Sequence, residues 1–517
     1  MSKRLKDISV VSFLTVVSRI LGLVRDSLSA AVFGASAYYS AFLTAFVVPN
    51  LFRRLLAEGS LTAAFVPTFQ EALHKEGKVG AFKLLSQITT WLLCVTGILT
   101  CLAMLVFSHA RLITGQESKW YLAADLTVIL FPYLACIALA AAFNAALNIL
   151  DHFLEPALSP TWLNLAMIAS IGGAGLHFAH TPLGQVHWLC AGVLVGGFFQ
   201  FAVPAVILMR EGWRPSLSLE LSPHVKEIAL LMAPGIFGTA IYQINIAVSR
   251  FLAFSLDDAS ATFYFMGNRL MEFPIGVFAI AVSTVVYPLI AKHAVEKKFD
   301  LMAEDFRKGL RLILMINVPA AVGLVLLTHP IVSLIYRHGH FTADNASDLS
   351  TLVALFALGM PFFSVVNLTI RAFYSVKDTK TPVKVATIDF ILNVILSITL
   401  MHAFGVRGLV IASTTAIILQ TVLLQYALVK KLPGLSFRPL WISLFKVLVA
   451  SAIMAGVVAG LWHYVDKLNI TMFAKGMISV FGIIPSAIAV YAGFLYVLKI
   501  EDAHELFGLI KRKFARN

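Results

Sequence analysis

Charge is what this chain has least of. Only 13% of its 517 residues are Asp, Glu, Lys or Arg, about half the share of a soluble globular domain, so a single water-soluble fold is excluded. Cysteine is rare too. The four, Cys94, Cys101, Cys136 and Cys190, all sit in apolar runs, which reads as small buried hydrophobes and argues against a disulfide framework or a zinc site. No glycine-rich loop followed by Lys-Ser/Thr is present, so nothing points to an ATP motor. Neither a Ser-His-Asp nor an HExxH pattern appears. Acidic residues number 27 against 40 basic ones, a net charge of +13. That excess lies in the short segments between apolar runs, where membrane topology accounts for it and nucleic-acid binding is not needed.

What is present is hydrocarbon. The mean hydropathy is +0.86, and apolar runs of about 20 residues, each long enough to cross a bilayer, recur from 8–33 to 472–498. Fourteen such runs predict an all-α polytopic membrane protein with 14 transmembrane helices. The second run, 38–70, is too long for a straight crossing, and Pro49 is expected to kink it. The first run is not read as a cleavable signal, because it is long and carries internal charge. With the N-terminus in the cytoplasm, Lys3, Arg4, Lys6, Lys297, Lys298, Lys430, Lys431 and Lys511 to Lys513 all fall inside. An even number of spans returns the C-terminus there too.

The second half echoes the first. "NAALNILDHFLEPA" resembles "RAFYSVKDTKTPVK"; Asp151 pairs with Asp378, Pro156 with Pro382, Pro67 with Pro288 and Arg25 with Arg250, all at an offset near 225. Six spans separate equivalents, so the halves share an orientation and form a parallel repeat about a pseudo-twofold along the membrane normal. The expected division is an N-lobe at 1–215, a C-lobe at 216–432, each of six helices, and an appended C-terminal helix pair with a basic cytoplasmic tail at 433–517. Two-lobed transporters carry substrate between the lobes.

Six arginines lie inside the runs: Arg19, Arg25, Arg53, Arg54, Arg250 and Arg269. A central Arg costs about 2.5–3.5 kcal/mol on insertion scales, so each needs a reason. On a helical wheel the first span gathers Ser12, Thr15, Ser18, Arg19, Gly22, Arg25, Asp26 and Ser29 into an arc of about 140°. Val16, Val17, Ile20, Leu21, Leu23, Val24 and Leu28 take the other side. That is one face for lipid and one for a wet cavity, with Gly22 leaving room between two arginines. Asp26 can offset one of these arginines, and an internal salt bridge or a snorkelling Arg is the alternative to a cavity role for the set. Arg54 and Glu58 form an i,i+4 pair, leaving Arg53 the freer of its two neighbours. Arg269 and Glu272 follow in "GNRLMEFP", and Arg250 has either a cavity role or Asp257 and Asp258 for partners. Arginines outnumber the nearby acids, Asp26, Glu58 and Glu272. A surplus of buried positive charge suits an anion, and phosphate or pyrophosphate fits Arg bidentately. A drug or ion antiporter would want buried carboxylates instead, and a membrane transferase a metal or acid pair at the surface. The histidines His177, His180, His187, His338 and His340 read as loop residues. No cofactor is expected. Membrane potential is the candidate driver, with Asp26, Glu58 and Glu272 as candidate groups for a coupling cation.

The stretches "SRILGLVRD", "PNLFRRLLAEGSLTAAFVP", "NRLMEFPIGV" and "FYSVKDTKTPVK" together resemble the signatures of the bacterial MurJ (MviN) lipid II flippases, within the multidrug/oligosaccharidyl-lipid/polysaccharide exporter superfamily. The resemblance runs from about residue 5 to 500. It implies a two-lobed, V-shaped fold in the bacterial cytoplasmic membrane and an alternating-access flippase. The implied cargo is the undecaprenyl-pyrophosphate-linked peptidoglycan precursor, with membrane lipids and other cell-wall synthesis proteins as partners. It implies cavity roles for Ser18, Arg19, Arg25, Asp26, Arg53 and Arg269, with Glu272 beside the last, and a lipid-tail groove shaped by the final helix pair. Members commonly carry acids where this chain has Ser40 and Asn268, so an acid-built external gate is not expected here.

Overall fold

The computed structural model describes residues 3–57, 60–113, 118–276, 280–432 and 434–500. Every regular element among them is helical. The chain forms two compact units, one of Met1–Thr262 with His338–Phe341, the other of Phe263–Arg337 with Thr342–Asn517.

The first unit begins with α1 (Lys3–Phe33), α2 (Ala37–Phe52), a single π turn (Arg53–Ala57) and α3 (Ser60–Ile113). Next come α4 (Lys119–Leu130), α5 (Tyr133–Ile149), α6 (Leu154–Ala169), a π turn (Ser170–Gly175), α7 (Leu176–Phe178), α8 (Pro182–Arg210) and α9 (Pro223–Leu256). Hydroxyls start several of these helices: Ser36, Ser118, Thr181 and Ser222 each accept a backbone N–H of the first turn, which satisfies a donor the helix cannot. α2 gives way to the π turn at Arg53, four residues beyond Pro49. α3 is interrupted at Gly77, where φ is +69°, a conformation only glycine takes without strain. Phe65, Phe69, Leu85, Phe143, Leu208 and Trp213 pack the core from α3, α5, α8 and the turn after α8. Unexpectedly for a loop, His338–Phe341 also belongs here. The His340 N–H donates to the Ala31 carbonyl at 2.8 Å, and Phe341 is buried.

The second unit continues α10 (Ser260–Pro274), which ends in π residues Ile275 and Gly276, into α11 (Ile280–Val295), α12 (Phe299–Leu326), α13 (Thr328–Tyr336) and α14 (Ala343–Ser375). It closes with α15 (Lys380–Phe404), α16 (Val406–Lys431), α17 (Arg438–Asp466), α18 (Met472–Ile478), a π turn and α19 (Ile484–Val497). One core joins Phe306, Leu310, Leu368, Phe373 and Leu424. A second seats α17 and α19 on α12 through Met315, Val447, Met454 and Tyr491, and the Tyr491 hydroxyl donates to the Met315 carbonyl at 2.7 Å.

Among the described residues, eight helices are long and apolar enough to cross a membrane, or nine if α4 and α5, bent by 42° at their junction, count as one. α1 has the length, 31 residues, but carries Arg19, Arg25 and Asp26 through its middle and is not among the eight. This is a multi-pass membrane protein.

Candidate functional site

From Gly22 onward the first unit buries the face of α1 that sequence spacing marks as polar, while Ser12 and Thr15 of the same arc are exposed. Gly22, Asp26 and Ser29 are buried, Asp26 at 1% exposure, while Val16, Ile20 and Val24 stand open at 55%, 53% and 46%. The opposition follows from 3.6 residues per turn.

Arg25 lies at the centre of this face. Its Nε and Nη2 both donate to Asp26 Oδ1, at 3.0 and 2.6 Å. Its Nη1 donates to Asn164 Oδ1 on α6 at 3.1 Å and meets the Met167 sulfur at 3.7 Å. Asn164 in turn donates its amide to the Ser18 carbonyl at 3.1 Å. Ser18, Arg25 and Asp26 are thereby joined to one residue of α6. The guanidinium side chain is 14% exposed, and of its five N–H donors three are engaged by oxygen in these bonds. The Met167 sulfur takes a fourth, so the charge is held by one carboxylate, one amide and one thioether. Sequence reasoning did not single out Asn164; its signal was a lone amide in the apolar "WLNLAMIA".

The other candidates fall in separate places. In the π turn, Arg53 Nε donates to Asn50 Oδ1 at 2.7 Å. Arg54 Nη1 reaches Gln243 Oε1 on α9 at 3.4 Å, while Glu58, its expected partner, lies outside the described residues. Arg19 and Arg250 are half-buried. The Asp257 carboxylate caps α10, accepting from Ala259 and Ser260 N–H at 2.8 and 2.7 Å; Asp258 meets Lys119 at 4.0 Å. Ser40 is fully buried and donates to the Asp258 carbonyl at 2.5 Å, with Thr262 Oγ1 at 2.9 Å. A hydroxyl thus ties α2 to the α9–α10 turn. In the second unit, Asn268 donates its amide to Glu272 Oε1 at 2.9 Å, one turn along α10. Arg269 between them is half-buried and Glu272 exposed.

Polar chemistry also collects at helix ends. Asp378 Oδ1 accepts the Lys380 and Thr381 N–H groups at 3.1 and 3.0 Å, and its other oxygen pairs with Lys431. Burial pushes the Asp378 carboxyl up, but the bonds from Lys431 and Thr381 outweigh it and hold the pKa at about 2. In the first unit Glu211 pairs with Lys78 at 2.8 Å and His152 at 3.1 Å, and hydrogen bonds from these two hold its carboxyl below the usual range.

A family model described as "Lipid II flippase MurJ" matches residues 29–479. A probable lipid II flippase MurJ of Rhizobium tropici is 31% identical, over 97% of this chain and 95% of that protein. Another, from Vibrio cholerae, is 30% identical over 97% of each. A solved lipid II flippase MurJ in an inward closed conformation superposes with a TM-score of 0.75 at 26% identity, covering 94% of this chain and 99% of that one. An inward-facing multidrug resistance MATE transporter of the MOP superfamily shares the fold at a TM-score of 0.63 and 13% identity. A match across this length, with both relatives covered nearly end to end, places the chain in the lipid II flippase MurJ family.

Proposed function

We propose that this protein translocates lipid II from the inner to the outer leaflet of the bacterial cytoplasmic membrane by alternating access. It is a transporter and not an enzyme. The observation that carries the reading is the Arg25 cluster: a guanidinium largely buried on a charged helix, balanced by a single carboxylate, with one N–H beyond its bonds to Asp26, Asn164 and Met167. A spare guanidinium N–H suits a pyrophosphate oxygen, whereas a cationic drug would want a free carboxylate, and Asp26 is already engaged by Arg25. Arg19 and Arg53 in the first unit and Arg269 in the second are the further phosphate-binding candidates, with Gly22 leaving space on α1. Ser40 and Asn268 take the gate positions.

The fourteen-span plan and the parallel repeat belong to this proposal. Recurring irregularities support them. A π turn follows α2 at Arg53 and follows α10 at Ile275. Backbone of positive φ stands at Gly77 and at Lys297, and again at Asp151 and Lys377. After α5 the His152 N–H reaches back to the Leu147 carbonyl; after α14 the Asp378 N–H reaches back to Phe373. Dividing α3 at Gly77 and pairing these landmarks gives two sets of six spans, with α17 and α18–α19 left as the appended pair. Both termini are placed in the cytoplasm by the basic segments. A net positive site lets an inside-negative potential draw the empty carrier's charge inward, which makes membrane potential the driver.

Depletion in the native bacterium, followed by an assay of which leaflet holds lipid II, tests the function: normal export without the protein overturns it. Arg25→Ala and Arg269→Ala, in protein inserted at normal levels, should abolish export. Retained export would return both residues to a structural role.

A further inference from the structure

The connection between α8 and α9, "GWRPSLSLELS" at 212–222, has no regular secondary structure after Gly212, yet it is stitched along α3. The buried Trp213 donates its indole N–H to Ser86 Oγ at 2.9 Å. The Ser218 N–H donates to Thr90 Oγ1 at 3.0 Å. Glu220 takes Lys83 at 3.0 Å and the Gln87 amide at 3.1 Å, and Ser222 donates to Gln87 Oε1 at 2.7 Å. The residues between these anchors do the opposite. Leu217, Leu219 and Leu221 are 85%, 63% and 53% exposed. Polar side toward protein and leucines away is the period of two of an extended chain, with the usual sense of inside and outside reversed.

The anchors also give depth. Lys83 is the last Lys, Arg, Asp or Glu of α3 before the uncharged stretch that runs to Arg111. Thr90 lies seven residues beyond it, about 10 Å further along the helix axis at 1.5 Å per residue. Ser218, held at Thr90, is therefore the most deeply set point of the strap, and its flanking leucines are the most exposed of the three. The exposed cations at the ends of the strap are Arg210, Arg214 and Lys226, whereas Glu211 and Glu220 are already paired with lysines.

We propose that the 213–222 strap is a lipid-contacting wedge. It dips into one leaflet, places Leu217 and Leu219 at the headgroup–acyl boundary, and offers Arg214 to anionic phospholipid headgroups. Leucine immersion with flanking arginine is the pattern of interfacial anchors, and the uncompensated positive charge selects the anionic leaflet. The wedge is distinct from the phosphate-binding arginines of α1 and is independent of what the protein carries.

The test uses the full chain with its four cysteines replaced, reconstituted in vesicles of phosphatidylcholine with or without phosphatidylglycerol. A nitroxide is attached at Leu217→Cys or Leu219→Cys, with Lys226→Cys as the aqueous reference. At 217 and 219, collision with oxygen should exceed collision with a water-soluble nickel chelate several-fold, with the reverse at 226. Adding phosphatidylglycerol should deepen the labels, and Arg214→Gln should cancel that deepening. Labels at 217 and 219 that read as aqueous as 226 overturn the wedge, as do labels shielded from both reagents, which would mean a protein partner. Indifference to phosphatidylglycerol overturns the headgroup contact. Two independent label sites keep the test decisive should either variant fold poorly.

Discussion

Asp26→Asn is the most informative single change. Asn keeps the size of the side chain and one acceptor for Arg25, so it removes charge and little else. The pair it breaks is short, 2.6 Å, with the carboxylate 1% and the guanidinium side chain 14% exposed. Removing one partner of such a buried pair costs about 3–5 kcal/mol, because the other charge is stranded. The residual exposure of Arg25 puts the expectation at the lower end, about 3 kcal/mol. The double variant Arg25→Gln/Asp26→Asn strands nothing and should recover most of that loss in stability, since replacing both members of a buried pair is often near neutral. The measurement is reversible unfolding of purified protein in detergent, as a four-member cycle of wild type, each single variant and the double. A coupling energy near zero, with the double variant as unstable as the summed singles, would refute the view that Asp26 is the counter-charge of Arg25. Export should still fail in the double variant, because stability returns without the phosphate ligand.

Asn164→Leu should lower stability by about 1–3 kcal/mol, the cost of leaving a buried donor unpaired, and should reduce export by loosening Arg25; unchanged export with measured destabilisation would make Asn164 purely structural. Gly339→Ala should be poorly tolerated, since its φ is +53° and a Cβ there would stand 2.2 Å from the Ala31 carbonyl. Gly77→Ala meets no atom within 4 Å, but φ +69° with ψ −169° is backbone that is essentially glycine's alone, so it should cost about 1–3 kcal/mol of backbone strain; thermal unfolding of both variants compares them directly. The Asp378 carboxyl is depressed in the folded state, so the stability it lends is present above its ordinary pKa and is lost as pH falls from about 4 to about 2. Lys431→Met should flatten that part of the acid-unfolding profile, and an unaltered profile would remove Lys431 as the cause.

Much of the fold was legible because a bilayer constrains sequence so strongly. Long apolar runs and an amphipathic α1 could both be read from spacing. The polar face of α1 was legible as a face, but it was read as a cavity wall, and the Arg25–Asp26 bridge stood only as the alternative to an anion site. What spacing could not reveal was who answers across space. Asn164 lies 139 positions from Arg25, and a single amide in an apolar helix gives no directional signal. Arg54 also reaches Gln243, 189 positions on, a partner the local i,i+4 rule has no way to offer. α2 runs through Pro49 and gives way to a π turn at Arg53, a change of helix type that spacing does not reveal. The leucine strap was hidden for a further reason. Its alternating pattern is that of a half-buried strand, and only the hydrogen bonds to α3 show which half faces the protein.

The tetrapeptide His338–Phe341 gives the chain an unusual connectivity. Its neighbours on both sides belong to the second unit, while these four residues pack with the first, against the end of α1 where Gly34 and Gly339 let two backbones meet. No single cut in the gene therefore separates the units. A split between residues 262 and 263 would give a second fragment that still carries a piece of the first unit's core, so a first fragment expressed alone would lack the buried Phe341. Co-expressed halves would have this clip as a built-in point of reassembly, and fusions or reporters inserted between 337 and 342 would strike the first unit from a position that, by sequence, looks like a loop of the second.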